Sequence, residues 1–190
     1  MKRVHPDFRR AMQLLEDGRT REAAGLADAL IESNSERERL DGYMCRGMVF
    51  EDGGDGIEID LKKSLDSYRR ASLIAPGSIT FMSMARVSLG LGDYSEAYKF
   101  LQLSRSYEVT PELLLGFALY FELSYPADPE KAMDYYFKAA MKGRFAGFFG
   151  YSRVARASGR RLKAFLMDCL RLLTGPFIAL AIGARARYQF

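Results

Sequence analysis

The chain has 190 residues, 48% hydrophobic and 27% charged, a balance that excludes intrinsic disorder and leaves material for a substantial core. Its two cysteines, Cys45 and Cys169, and single histidine, His5, exclude a disulfide framework and offer no metal-ligating or nucleophilic spacing. The net charge of +4 is polarised: residues 1–142 carry 19 Lys/Arg against 23 Asp/Glu, whereas residues 143–190 carry nine against Asp168 alone.

That asymmetry points the C-terminal end toward something acidic, whether a partner surface, anionic lipid or nucleic acid, with a merely solvated basic face as the plain alternative. The two cysteines read as small buried hydrophobes in a reducing compartment. Residues 1–7 are polar and hold no apolar core of a secretory signal, so a cytoplasmic location is expected.

In chain order, residues 7–17 place Phe8, Met12 and Leu15 on one helical stripe, stopped by Gly18. Thr20 stands where it would cap the next helix, whose Ala23, Ala27, Leu30 and Ile31 form a buried face. Residues 36–51 give a third helix with Leu40, Tyr43, Met44 and Met48 apolar, ended by the run Asp52-Gly53-Gly54-Asp55-Gly56. Leu61, Leu65, Tyr68 and Ser72 mark a fourth helix over 61–75, closed by Pro76-Gly77. The next pair spans 78–91 and 94–108 around Gly92-Asp93, and Thr110-Pro111-Glu112 opens another helix with a cap followed by proline. An apolar helix from Leu115 breaks at Pro126 and Pro129, and a second helix follows with Lys131, Ala132, Tyr136, Ala139 and Ala140. No run alternates as a strand would.

The second helix of each pair carries a small residue, at Ala23, Ser64, Ala97, Ala132 and Ala164. Their spacings cluster in the mid-thirties, the mark of a helical solenoid in which small residues let helices approach and Tyr68, Leu101 or Tyr136 fills the gap to the next pair. The expected fold is all-α: a right-handed α-solenoid of about five antiparallel helix pairs over residues 1–160, with a C-terminal apolar and basic helical segment over 161–190 packed on or extending it.

Two stretches carry a family resemblance. Residues 54–64, Gly54-Asp55-Gly56-Ile57-Glu58-Ile59-Asp60-Leu61-Lys62-Lys63-Ser64, with Tyr68 and Arg70-Ala71 beyond, resemble the loop and second helix of a Sel-one-like repeat, a longer-looped relative of the tetratricopeptide repeat. Leu115-Gly116, Asp128, Lys131-Ala132, Tyr135-Tyr136, Lys138-Ala139-Ala140 and Gly143 resemble the same motif, and the other pairs are closer to plain tetratricopeptide units. The resemblance spans residues 5–165, with departures at Ser64 in place of alanine, Leu119 in place of an aromatic, and a loop at Pro126 without paired glycines. It implies an adaptor or scaffold that binds proteins or peptides, and it implies no reaction.

Candidate chemistry is sparse. Asp52, Asp55, Glu58 and Asp60 suggest a calcium loop, but glycine is out of register and Lys62 stands where a bidentate glutamate is needed, so neither metal nor cofactor is expected. Acidic pairs on polar helical faces give no acid/base signal and no enzyme is indicated. With first helices lining a concave face, as in similar tetratricopeptide proteins, a groove of Met44, Met48, Met82, Arg86, Phe117, Tyr120, Arg153 and Arg156 is expected to bind a protein or peptide, its arginines favouring an acidic one.

The tail is a second candidate interface. Leu172, Leu173, Phe177, Ile178, Leu180 and Ile182 form an apolar segment flanked by Arg160, Arg161, Lys163, Arg171, Arg185 and Arg187, with a bend expected at Gly175-Pro176. Its apolar run falls short of the roughly 20 residues needed to span a bilayer. The segment suits a partner protein, a second copy of the chain, or the anionic inner face of a membrane, the last reading extending by family habit to envelope or polysaccharide machinery. RNA binding through arginines and aromatics near residues 144–161 ranks third.

Overall fold

The computed structural model describes residues 6–182, with side chains through Thr174. Among them ten helices follow one another: α1 (Pro6–Glu16), α2 (Thr20–Ile31), α3 (Glu36–Asp52), α4 (Leu61–Ile74), α5 (Ser78–Gly90), α6 (Tyr94–Tyr107), α7 (Pro111–Leu123), α8 (Pro129–Met141), α9 (Ala146–Ala157) and α10 (Arg161–Ile182). They pack in pairs as a tetratricopeptide-like solenoid, and no strand is present among the described residues. Two compact units divide the chain, residues 1–107 with α1 to α6 and residues 108–190 with α7 to α10. The sequence boundary at 160/161 falls at the start of α10, which is seated on α9 through buried Ala164 and Met167 within the second unit.

Turn chemistry sets the pairing. Gly18, Gly92 and Gly159 adopt φ of +75°, +76° and +75°, a left-handed conformation that glycine enters without steric cost. At each, the glycine N–H donates to the carbonyl three residues back (Leu15, Leu89, Arg156; 3.0–3.1 Å) and the next N–H to the carbonyl five back (Leu14, Ser88, Ala155; 2.8–2.9 Å). This double bond closes one helix and starts the next after a single residue.

The small residues inferred from the repeat are each the fourth residue of a second helix. Ala23, Ser64, Ala97 and Ala132 are fully buried and Ala164 is nearly so. Their amides donate to the carbonyls of Arg19, Asp60, Asp93, Asp128 and Arg160, so the turn and the small residue are locked in register.

The pairs α3/α4 and α7/α8 have longer connections built alike. The Asp60 and Asp128 amides donate to the carbonyls of Phe50 and Phe121, both at 2.8 Å. Each aspartate then caps the following helix, accepting from the Lys63 or Lys131 amide at 3.0 Å. The two lysines lie over the Phe50 and Phe121 rings, 5.3 and 5.2 Å from the centroids.

Several expectations change. Thr20 does not cap α2: it is its first residue, buried, and its hydroxyl donates to the Gly53 carbonyl at 2.9 Å, a contact 33 residues away that outcompetes the local cap. On α1 the fully buried positions are Ala11 and Leu14, with Phe8, Met12 and Leu15 at the margins. On α3 they are Asp41, Gly42, Cys45, Gly47 and Val49, while Leu40, Tyr43, Met44 and Met48 are half-buried. The reason is close approach on both sides: a Cβ on Gly42 would meet the Ala27 carbonyl at 2.8 Å, and one on Gly47 would run into the Tyr68 ring. Cys45 is buried as expected, but Cys169 is only half-buried. Gly175-Pro176 does not break α10, which runs on to Ile182; proline there only leaves the carbonyl one turn earlier without its donor. His5 lies outside the described residues.

Candidate functional site

Three side chains recur at equivalent places in both units. The penultimate residues of α3 and α7, Glu51 and Glu122, accept hydrogen bonds from a tyrosine on the paired second helix and an arginine on the next first helix. The Tyr68 hydroxyl donates to Glu51 at 3.0 Å, and the Arg86 guanidinium grips the same carboxylate through Nε and Nη2 at 2.5 and 2.7 Å. The Tyr136 hydroxyl donates to Glu122 at 2.6 Å, and Arg153 grips Glu122 through Nε and Nη2 at 2.9 and 2.7 Å. Arg153 also donates to the Tyr136 oxygen at 3.1 Å. Each set fastens three successive helices, with a two-pronged guanidinium fixing the angle between pairs.

Protonation follows from this geometry. Burial, then the hydrogen bond and charge of Glu122, hold the Tyr136 phenol far above its ordinary range; burial and Glu51 do so for Tyr68. Burial pulls the Arg86 guanidinium down, and Glu51 and Tyr68 more than offset it. All three groups therefore keep one charge state across physiological pH, which suits a fixed fastening and not proton transfer.

The arginines expected to face a ligand are consequently engaged by their own chain. Arg86 is on Glu51, Arg153 on Glu122 and Arg156 on Asp168, which also accepts from the Ser152 hydroxyl at 2.8 Å. Sequence reading turned them outward because each partner lies a helix or a whole repeat away. Phe117 does not line a surface either: it is 2% exposed and stacked on Tyr135 at 5.1 Å, because its helix face points into the α7/α8 contact. Met44 and Met48 are half-buried against the cluster of Leu65, Tyr68, Met84 and Val87, and Met82 is half-buried on α5. Tyr120 is half-buried, edge-on to Phe121 at 5.1 Å. Leu172 and Leu173 are 70% exposed, while the side chains of Phe177, Ile178, Leu180 and Ile182 lie outside the described residues.

An apolar cleft of about 370 Å³ opens in the second unit between α7 and α9. Leu115 and Leu119 form one wall, Phe145 and Phe149 the other, Tyr136 the floor, and Arg153 an edge. Phe149 is 49% exposed, T-shaped against Phe145 at 5.5 Å, and covered on one side by the Arg171 guanidinium at 4.3 Å from its centroid. Of these residues only Arg153 was foreseen, although Leu115/Leu119 on α7 and Phe145/Phe149 at the start of α9 are large apolar residues four apart. A larger cleft of about 650 Å³ borders α2, α3 and α4 in the first unit, and most of its charges answer one another: Arg46 with Asp28, Lys63 with Asp60 and Arg70 with Asp66. The α7/α9 cleft, apolar with few polar groups, has the lining of a binding site.

In the glycine-rich loop, Asp60 is a helix cap and Asp55 accepts from the Arg21 amide at 3.4 Å. Among the described residues no three His, Cys, Asp or Glu side chains are grouped to hold a metal ion. No helix among them is long and apolar enough to cross a membrane.

No family model matches the chain, and no curated protein matches it. Solved structures do. One, titled "Crystal structure of MamA", superposes with a TM-score of 0.67 at 12% identity over 89% of this chain and 96% of that one. Another, "Crystal structure of MamA protein", gives 0.61 at 11% identity over 95% and 92%. At such identity the likeness concerns architecture, and with the pairwise packing above it establishes that the chain has the tetratricopeptide-like helical-repeat fold.

Proposed function

We propose that the protein is a non-enzymatic interaction module that holds a peptide segment of another protein in the α7/α9 cleft. The observation carrying this reading is the open apolar pocket walled by Leu115 and Leu119 on α7 and by Phe145 and Phe149 at the N-terminal end of α9. Tetratricopeptide-like folds commonly serve as protein-interaction scaffolds, and the two Glu–Tyr–Arg fastenings keep such a scaffold in one geometry before a ligand arrives. Within that fold, α3/α4 and α7/α8 are read as Sel-one-like repeats, on their matching loops, caps and tyrosines. The setting is taken to be the cytoplasm.

With Arg153 engaged by Glu122, the cleft selects an apolar anchor and not an acidic segment. Panning a displayed random-peptide library on the full chain tests this. Enriched peptides are expected to share a large apolar residue and to lose about tenfold or more in affinity for the Leu119→Lys and Phe149→Glu variants. Peptides that bind both variants as tightly as the parent would place the binding surface elsewhere.

A further inference from the structure

We propose that the outer face of α10 receives an acidic amphipathic α-helix from a partner protein, which takes the place of the next first helix of the solenoid; this rests on the reading of the chain as an interaction module. The repeat register supplies the argument. Counting from the small residues Ser64, Ala132 and Ala164, Phe165 is equivalent to Leu65 and Met133, and Leu172 to Ala140. Leu65 packs with Met84 and Val87 of α5, Met133 with Val154 and Ala155 of α9, and Ala140 lies against Gly147 of α9. These covered positions are 2–5% exposed, whereas Phe165 is 63% and Leu172 70% exposed.

The uncovered face is continuous. Leu162, Phe165, Leu166, Cys169, Leu172 and Leu173 recur at the three- and four-residue steps that place them within one third of the helix circumference, the stripe a second helix packs against. On α4 and α8 such a face is met by the first helix that follows, α5 and α9, so the shape of the vacancy is helical.

Charge selects which helix. Arg161 and Lys163 stand exposed at the N-terminal end of the stripe, where the dipole of α10 is also positive, and residues 143–190 carry nine basic residues against one acidic. A second copy brings the same net positive charge to the contact and, among the described residues, no exposed carboxylate on the stripe, which disfavours self-association.

The test uses the full chain and a synthetic amphipathic helix with leucine along one stripe and glutamate elsewhere, alongside a lysine version of the same peptide. Binding by fluorescence anisotropy is expected for the glutamate peptide only, falling about tenfold or more in Phe165→Asp and Leu172→Asp, whose positions are exposed and so tolerate the change. Arg161→Glu with Lys163→Glu is expected to weaken binding and flatten its salt dependence. Leu119→Lys leaves this probe unaffected, which separates the α10 face from the α7/α9 cleft. Equal binding of the lysine peptide, or none of the glutamate peptide, overturns the proposal. So does a dimer in sedimentation that Phe165→Asp dissolves, which makes the occupant a second copy. Flotation with phosphatidylglycerol vesicles, abolished by the same variant, overturns it in favour of lipid.

Discussion

The ring of Tyr136 occupies the space that a side chain on Gly150 would need, and in the first unit the ring of Tyr68 does the same to Gly47. The glycine lies on the following helix in one case and on the preceding helix in the other, so a tyrosine of the second helix is the knob and a glycine the hollow in both, on opposite sides. Neither ring can retreat, because its hydroxyl is tied to a glutamate gripped by arginine.

Glycine inside a helix ordinarily costs about 0.5–1 kcal/mol relative to alanine. At Gly150 and Gly47 overpacking outweighs that gain, and Gly150→Ala or Gly47→Ala is expected to destabilise by about 1–3 kcal/mol. Gly25, mid-helix in α2 with nothing within 4 Å of where its Cβ would be, is the opposite case. Gly25→Ala is expected to stabilise by the ordinary amount. Thermal melts decide between the signs, since each kcal/mol moves Tm by about 2–4 °C in a chain of this size.

The Glu122 fastening should show coupling without dominating stability. Tyr136→Phe removes the hydrogen bond to the partly buried Glu122 carboxylate and the one accepted from Arg153, and is expected to cost about 1–3 kcal/mol. The Arg153 side chain is 60% exposed, so the Glu122–Arg153 pair itself is screened and worth about 0.2–1 kcal/mol. A double-mutant cycle of Glu122→Gln and Arg153→Gln in urea measures it, and a coupling near zero would mean that the ion pair does not help to hold α9 against α7.

What was legible in the sequence is what the chain encodes locally. Gly18, Gly92 and Gly159 reverse the chain, one residue follows, and the fourth residue of the new helix must be small; each step has a sequence mark, so Ala23 to Ala164 could be aligned. The Asp60 and Asp128 caps, three residues before Lys63 and Lys131, made the two longer-looped repeats recognisable for the same reason. Arg86, Arg153 and Thr20 were misread because their partners Glu51, Glu122 and Gly53 lie 35, 31 and 33 residues away. Helical periodicity places such residues on a polar face and is silent about what the neighbouring repeat brings there. The cleft walls Leu119 and Phe149 were not picked out, because periodicity does not tell a buried stripe from one that borders an opening.

The two thiols should separate in reactivity. Burial, reinforced by the charge of Asp28, pushes the Cys45 thiol up to about 12, and its sulfur is enclosed near the Ala23 carbonyl at 3.8 Å. Almost no thiolate is available there at pH 8. Cys169 is half-buried on α10 beside the exposed stripe. Native protein is expected to react with a thiol reagent at Cys169 first, and at Cys45 only as the α2/α3 contact opens in denaturant. Equal rates for the two would show that the first unit opens without unfolding. Slower modification of Cys169 with the glutamate peptide present would place that probe on the α10 stripe.

Acid should loosen both longer-looped repeats through their caps. The Lys63 amide, with the Lys63 ammonium, holds the Asp60 carboxyl below its ordinary 3.8, and the Lys131 amide and ammonium do the same for Asp128. A carboxyl lowered in the folded state contributes stability that is complete above its unfolded value and is lost as pH falls through the folded one. The caps therefore support the fold at neutral pH and fail below about 4. Asp52 has the opposite sign: burial, then repulsion from Glu51, raises its carboxyl, so protonation relieves it as pH falls. Asp60→Asn with Asp128→Asn keeps a capping oxygen while removing the charge, and is expected to reduce the acid loss seen in urea midpoints between pH 7 and pH 3. Asp52→Asn is expected to stabilise at pH 7 and to lose that advantage in acid. A parent protein whose midpoint does not fall in acid, or a double variant that falls as steeply as the parent, would mean that these caps do not govern the acid response.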